Sequence, residues 1–134
     1  MLNRSGITKD TYGAPKQILA NVELQASIGC IVPQTLGVTV GTKKIAKAGT
    51  PINVNFENLN AVATKPAAAG ESTTAVAMNA VLLHDVDVTS GNANGTALIF
   101  GFVNLNRLDS DVVTAITAAK AFGTPTTQLT FMKA

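Results

Sequence analysis

His84, Asp85 and Asp87 fall within one short stretch, and Asn92 and Asn94 follow on the next polar segment. An imidazole beside carboxylates is the raw material of general acid-base catalysis, and carboxylates with amide oxygens are that of a hard-cation site such as calcium. The stretch itself argues against catalysis. It alternates as a strand does, and adjacent strand residues point to opposite faces. His84 is therefore expected to stand away from both aspartates, beside Leu82 and Val86, as a histidine hydrogen-bonded within the core or at an interface. The acids do not follow the EF-hand loop, which ends in a bidentate Glu. Asp and Asn are also what tight turns recruit to satisfy their own backbone. Turn formation is the expected role of Asp85, Asp87, Asn92 and Asn94, with a calcium- or glycan-binding loop as the alternative. No serine or cysteine lies in a nucleophile setting such as G-x-S-x-G. Cys30, the sole cysteine, lies in the apolar run IGCIV and reads as a small buried hydrophobe. Lys43, Lys44 and Lys47 read as a solvated face, because a phosphate loop needs a glycine spacing and a following helix that are missing here. From these residues the chain is not expected to be an enzyme, and no catalytic residue, metal ligand or cofactor is expected.

The elements that would position these groups centre on Ala80 to Leu105, AVLLHDVDVTSGNANGTALIFGFVNL, which reads as a β-hairpin. Ser90 to Gly95 contains Ser-Gly and Asn-Gly, which reverse a chain readily. The first arm is apolar on both faces near Val81 to Leu83. Beyond that, Asp85, Asp87 and Thr89 turn one face polar while Val86 and Val88 keep the other apolar. In the second arm Leu98, Phe100 and Phe102 form one alternate set, and Ala97, Ile99, Gly101, Val103 and Leu105 form the other. Both sets are apolar, so this arm must be covered on both sides, by layers of its own domain or by neighbouring subunits. Leu98, Phe100, Phe102 and Val103 are the expected core or oligomer-packing residues. Gly101 marks a bulge or a close backbone approach.

Residues 1–16 show no period that could bury a face and read as an extended, flexible N-terminal arm. Residues 17–134 read as a single β-rich domain. Apolar residues alternate from Ile18 to Val32, too long a run for one ordinary strand. A bend near Ser27 to Gly29, crossing between sheets, is favoured over an arm lying along a neighbour. Val38 and Val40 suggest a short strand, Gly49 and Pro51 a corner, and Val54 with Phe56 another strand. Ala61 to Ala75 reads as a surface loop. Asp109 or Ser110 can cap a helix over about 109–122, with Val112, Ile116, Ala119 and Phe122 at helical spacing and Gly123 as its stop. Thr127 to Lys133 closes the domain as a final strand with Leu129 and Phe131 inward. Together these elements are mainly β (α+β): a single compact β-sandwich or barrel-like domain with one helix in its C-terminal half.

Charged residues make up 13% of the 134 residues and hydrophobic ones 46%, against roughly 25% charged in an average soluble domain. So neutral a surface argues for subunit contacts or attachment to a large assembly. The formal charge is +2, with no Trp and one Tyr, which is no nucleic-acid footprint. The N-terminus has no apolar signal core and no run approaches a membrane span. The expectation is a protein made and kept in a cytosol until release, with no nucleic-acid or membrane partner.

Two segments carry a likeness to a known family. KIAKAGTPI at Lys44 to Ile52 and AVLLHDVDVTSGNANGTALIFGFVNLNRL at Ala80 to Leu108 resemble small head proteins of tailed bacteriophages of Gram-positive bacteria, regarded as capsid decoration or head accessory proteins. The resemblance implies a β-rich structural virion protein on the capsid exterior, after assembly in the host cytoplasm. It implies the major capsid protein and other copies of itself as partners, commonly as a homotrimer over local threefold positions that strengthens the expanded head. It implies no catalytic residues. A looser likeness to lambda-type decoration proteins, in general character, implies an N-terminal arm ordered on the shell, here Met1 to about Pro15, and the expected shell contacts lie within Thr8 to Leu19: Thr8, Lys9, Thr11, Tyr12, Pro15 and Ile18. The alternative from a different class is a calcium- or glycan-binding adhesion module on the virion, with Asp85 to Asn94 as its site.

Overall fold

The computed structural model of the chain describes residues 17–20 and 23–133. It is mainly β, with one α-helix among those residues. The strands are β1 (Ala26–Val32), β2 (Val38–Val40), β3 (Lys43–Ala46), β4 (Pro51–Ile52), β5 (Ala80–Leu82), β6 (Val86–Asp87), β7 (Ala93–Asn104) and β8 (Gln128–Met132). Helix α1 (Ser110–Ala119) lies between β7 and β8 in the chain. The larger sheet runs β1-β7-β5-β4 with β8 also on β7, and the smaller runs β2-β3-β6. Pairing is antiparallel except for β7 with β8. Phe100 pairs with Ala26 and with Gln128, so β1 follows one edge of β7 while β5 and then β8 follow the other.

Adjacent residues Ala97 and Leu98 are both fully buried, which strand alternation permits only if both faces of β7 are covered. On one face Leu98 and Val81 pack with Ile18, Leu19 and Met78 and with Val112, Ile116 and Ala119 of α1. On the other, Ala97, Ala80 and Leu82 pack with Cys30, Val32 and Ile52 and with Ala46, Val86 and Val88 from the smaller sheet and its flank. The layers are helix, large sheet, small sheet: a sandwich with a helix on its outer face.

The hairpin expected over Ala80 to Leu105 is a switch between sheets. Val81 lies opposite Leu98 and Leu82 opposite Ala97, but the first arm stops there, and its continuation β6 joins β3 in the smaller sheet. The change of pattern along that arm is the physical reason. Residues apolar on both faces belong to a middle layer, while Val86 and Val88, apolar on one face only, belong to an outer one. Asn94 and Gly95, expected in the turn, lie within β7 opposite Ile31 and Cys30. A Cβ on Gly95 would sit 2.7 Å from Val32 Cγ2 and 2.9 Å from Val86 Cγ2. That glycine lets the two sheets approach and is not part of the reversal.

The alternating run from Ile18 to Val32 does not cross between sheets. Leu19 bridges Val103, Ala20 N donates to Phe102 O at 2.8 Å, and β1 then follows β7 back from Phe100 to Ala93. The break falls before Ala26 because a β7 of 12 residues is long enough for two successive segments on one edge. The strand expected at Val54 and Phe56 is a turn region. Val54 is buried and Phe56 is 54% exposed. Val54 N donates to Asn79 Oδ1 at 2.8 Å and Asn79 Nδ2 donates to Val54 O at 2.9 Å, so a buried amide replaces a neighbouring strand. The helix spans Ser110–Ala119 behind Asp109 at the N-cap position, shorter than 109–122, and Gly123 follows with φ +66°. Leu129 and Phe131 of β8 pack on the helix-side core as expected.

Candidate interaction surface

The candidate surface is created by a change of phase inside β7. Unbroken alternation would put Leu98, Phe100 and Phe102 on one face and Val103 on the other. Instead, Leu98 and Val103 share the helix-side core. Ser27 pairs with Leu98 and Ala26 with Phe100, leaving Ile99 as an extra residue, a bulge that reverses which side chains point inward. Gly101 lies just beyond it with φ +154°, where an added Cβ would be 3.5 Å from the Leu24 carbonyl oxygen. The bulge expected at Gly101 thus falls two residues earlier, at Ile99, and the Leu24 carbonyl approaches Gly101 only to ordinary contact distance. Beyond the bulge, Val103 and its partners Leu19 and Phe131 face the helix-side core.

The four expected packing residues therefore divide. Leu98 and Val103 are fully buried, whereas Phe100 is 40% exposed and Phe102 is half-buried. Cross-strand partners share a face, so Ala26, Phe100 and Gln128 stand together, with Phe102 and Thr130 beside them. This face carries no charged residue among these positions. It continues the inner face of the large sheet beyond the span where the smaller sheet's residues pack.

A second sheet face is also uncovered by the described residues. Ala46 and Val86 are partners pointing inward, so Ile45 and its partners Val38 and Asp87 point outward, with Val40 and Lys43 on the same side. Val38 is 38% and Val40 51% exposed, and Lys43, the partner of Val40 on the middle strand, has its Nζ 3.9 Å from Asp87 Oδ2. Phe56, Leu59 and Val62 are exposed on the loop after β4. A groove of about 340 Å³ runs between α1 and the Leu36, Pro51 and Pro66 side chains.

The residues with chemical potential are spread over separate tasks. Asp85 Oδ1 accepts from Ala48 N at 2.7 Å, Asp87 Oδ1 from Thr89 N and Oγ1 at 2.9 and 2.6 Å, and Asn92 Oδ1 from Gln34 N at 2.9 Å. Asn94 is an exposed residue of β7. The hydrogen bonds from the Thr89 hydroxyl and backbone N–H hold the Asp87 carboxyl below its ordinary pKa. Asp85 closes the corner at Gly49, where Gly49 N also donates to Leu82 O at 2.7 Å and Leu82 N to Thr50 O at 3.0 Å. The two segments that carry the family resemblance are stitched together by these bonds. Nothing in the spacing of Lys44 to Ile52 and Asp85 announces that contact, because it links positions far apart in the chain.

His84 lies in the bend between sheets, not in a continuous strand, so strand alternation does not fix its direction. Its Nδ1 is buried without a hydrogen-bond partner among the described residues. Cys30 is buried, and burial raises its thiol pKa. Lys47 is not part of a solvated face: its ammonium lies 3.2 Å from Asp109 and 3.1 Å from Asp111 at the start of α1. Burial pulls its pKa down, but hydrogen bonds and charge from both aspartates outweigh that, and the net shift is upward. Ile18, expected at a shell contact, is fully buried in the protein's own core. Asn104 N donates to its carbonyl at 2.8 Å. Thr8, Lys9, Thr11, Tyr12 and Pro15 lie outside the described residues. No protein-family model, curated protein or solved structure matches the chain.

Proposed function

We propose that the protein is a structural virion component that binds the outer surface of a tailed-phage capsid, stabilises the head and associates with copies of itself as a trimer at local threefold positions. The observation that carries this reading is an uncharged, partly aromatic sheet face around Phe100 and Phe102 on a chain with only 13% charged residues. Such a face suits packing against protein. The resemblance of Lys44 to Ile52 and Ala80 to Leu108 to head accessory proteins supplies the kind of assembly. Residues 1–16 precede a segment anchored at Ile18 and Leu19, and such a segment can add affinity by pairing with an exposed capsid sheet edge. Repetition over a shell multiplies contacts of this kind by avidity.

The test is rebinding of purified protein to heads that lack it, comparing the full chain with a chain that starts at Gln17. Saturable binding by the full chain, lost on truncation, is the expected result. Binding retained by the shorter chain moves the anchor to the folded body. No binding by either form overturns the reading and brings forward the adhesion module. Because Asp85, Asp87 and Asn92 already serve backbone donors, calcium and a chelator are each expected to leave the melting temperature unchanged.

A further inference from the structure

The outer edge of β1 is open over part of its length. Ile31 O accepts from Ala63 N at 2.9 Å, so the backbone groups of Ile31 point away from β7, and strand alternation turns those of Gly29 and Ser27 the same way. Ser27 and Gly29 are exposed, and among the described residues neither has a backbone bond on that side. A Cβ on Gly29 would meet nothing within 4 Å, so there is room beside it. Successive unpaired N–H and C=O groups on a sheet edge are what an extended polypeptide strand recognises. We infer that residues 1–16 of the same chain fold back and add a short antiparallel strand to this edge, latching the arm on its own sheet until another partner takes it. The latch does not depend on the capsid reading; on a shell, the arm would trade this pairing for one with a capsid edge.

The course and length of the chain select the occupant. Leu19 bridges Val103 and Asn104 N donates to Ile18 O, so the segment before β1 follows the same edge of β7. Gln17 then stands beyond the end of that strand, with Arg107 Nη1 donating to its carbonyl oxygen at 3.4 Å. Leu19 N donates to Gln17 Oε1 at 2.9 Å, which fixes the point from which residues 1–16 depart. The way back from Leu105 to Thr96, the partner of Gly29, is about 30 Å along β7, and residues 1–16 span about 50 Å when extended. The surplus allows a turn, and Gly13 and Pro15 stand where it must fall. A chain that reverses there runs antiparallel to β1 and brings roughly residues 3–9 beside Ser27 and Gly29. Ile7 and Thr8 in that stretch are β-branched and suit a strand. A tethered segment that reaches its own edge meets it at an effective concentration on the order of millimolar, well ahead of the same segment on another copy. The covered edge then no longer offers a template for pairing between copies.

The experiment is amide hydrogen exchange, read by NMR, on the isotope-labelled full chain and on the full chain carrying Ser5→Pro, Ile7→Pro and Thr8→Pro together. Proline removes the donor and disrupts strand pairing. In the parent, the Ser27 and Gly29 amides are expected to exchange on the order of tenfold more slowly than in the variant. The Ile28 and Cys30 amides point at β7 and should stay protected in both forms, which reports that the sheet is intact. Should the triple variant lose that protection, Thr8→Pro alone replaces it, and it must still speed exchange at Ser27 and Gly29. Labelled variant is then mixed with excess unlabelled parent, and its Ser27 and Gly29 amides are expected to stay fast. Fast exchange of both amides in the parent overturns the inference, as does equal protection in parent and variant. Protection of the labelled variant by added parent overturns it too, because the strand then comes from another copy. A latched protein that does not bind heads keeps this inference and removes the capsid reading.

Discussion

The two halves of β7 have nearly the same apolar composition and opposite fates. From Ala93 to Leu98 the strand is the middle of three layers, with α1 and the small sheet closing its two faces at Ala97 and Leu98. From Phe100 to Asn104 one face remains on the helix-side core through Val103, while the other presents Phe100 and Phe102. The difference lies in the reach of the small sheet: its strands are 3, 4 and 2 residues long, while β7 has 12. A long strand behind a short covering sheet leaves a remainder. When that remainder is aromatic and uncharged, it is material for an interface.

The largest expected effect breaks the buried half. Leu98→Ala removes a fully buried side chain between β7 and α1 and should cost about 3 kcal/mol in urea unfolding, from lost burial and the cavity left behind. Phe100→Ala in the same strand should cost about 1 kcal/mol or less, measured at protein concentrations low enough to keep the chain monomeric, because much of that ring is already in water. Equal losses at the two sites would erase the distinction between the halves.

The boundary between them is sharpened by Gly101→Ala. Its φ of +154° is a region that side-chain-bearing residues rarely adopt, so a loss of about 1 to 2 kcal/mol is expected. A neutral result would mean that the phase change after Ile99 does not depend on this glycine.

The smallest effect concerns the sheet that covers the first half. The hydrogen-bonded Asp87 carboxyl has its pKa lowered from an ordinary 3.8. A carboxyl whose pKa is depressed by folding stabilises the fold above its unfolded pKa, and that contribution fades as pH falls through the folded value. Asp87→Asn should therefore flatten the acid limb of the stability curve below about pH 4 and leave the Leu98 side of the molecule unaffected. Because Asp87 is exposed, a small change is expected, read as a difference in melting temperature between pH 3 and pH 6.

Local pattern alone was enough for much of this protein. Helical spacing of Val112, Ile116 and Ala119 located α1, Gly49 and Pro51 located the corner, and alternation located β2 and β8, because each depends on neighbours within a few residues. The doubly apolar stretch after Thr96 identified β7 as a strand that must be covered on both sides. Tertiary structure alone decided that β6 leaves its expected partner for the small sheet, that Ile18 is core and not surface, and that Asp85 closes a corner. It also decided where the candidate surface lies. Alternation assigns Leu98 and Phe100 to one face, and only the register against β1, with Ile99 as an extra residue, places them on opposite ones. Such a register is a relation between segments distant in the chain, and a shift of one residue exchanges inside for outside.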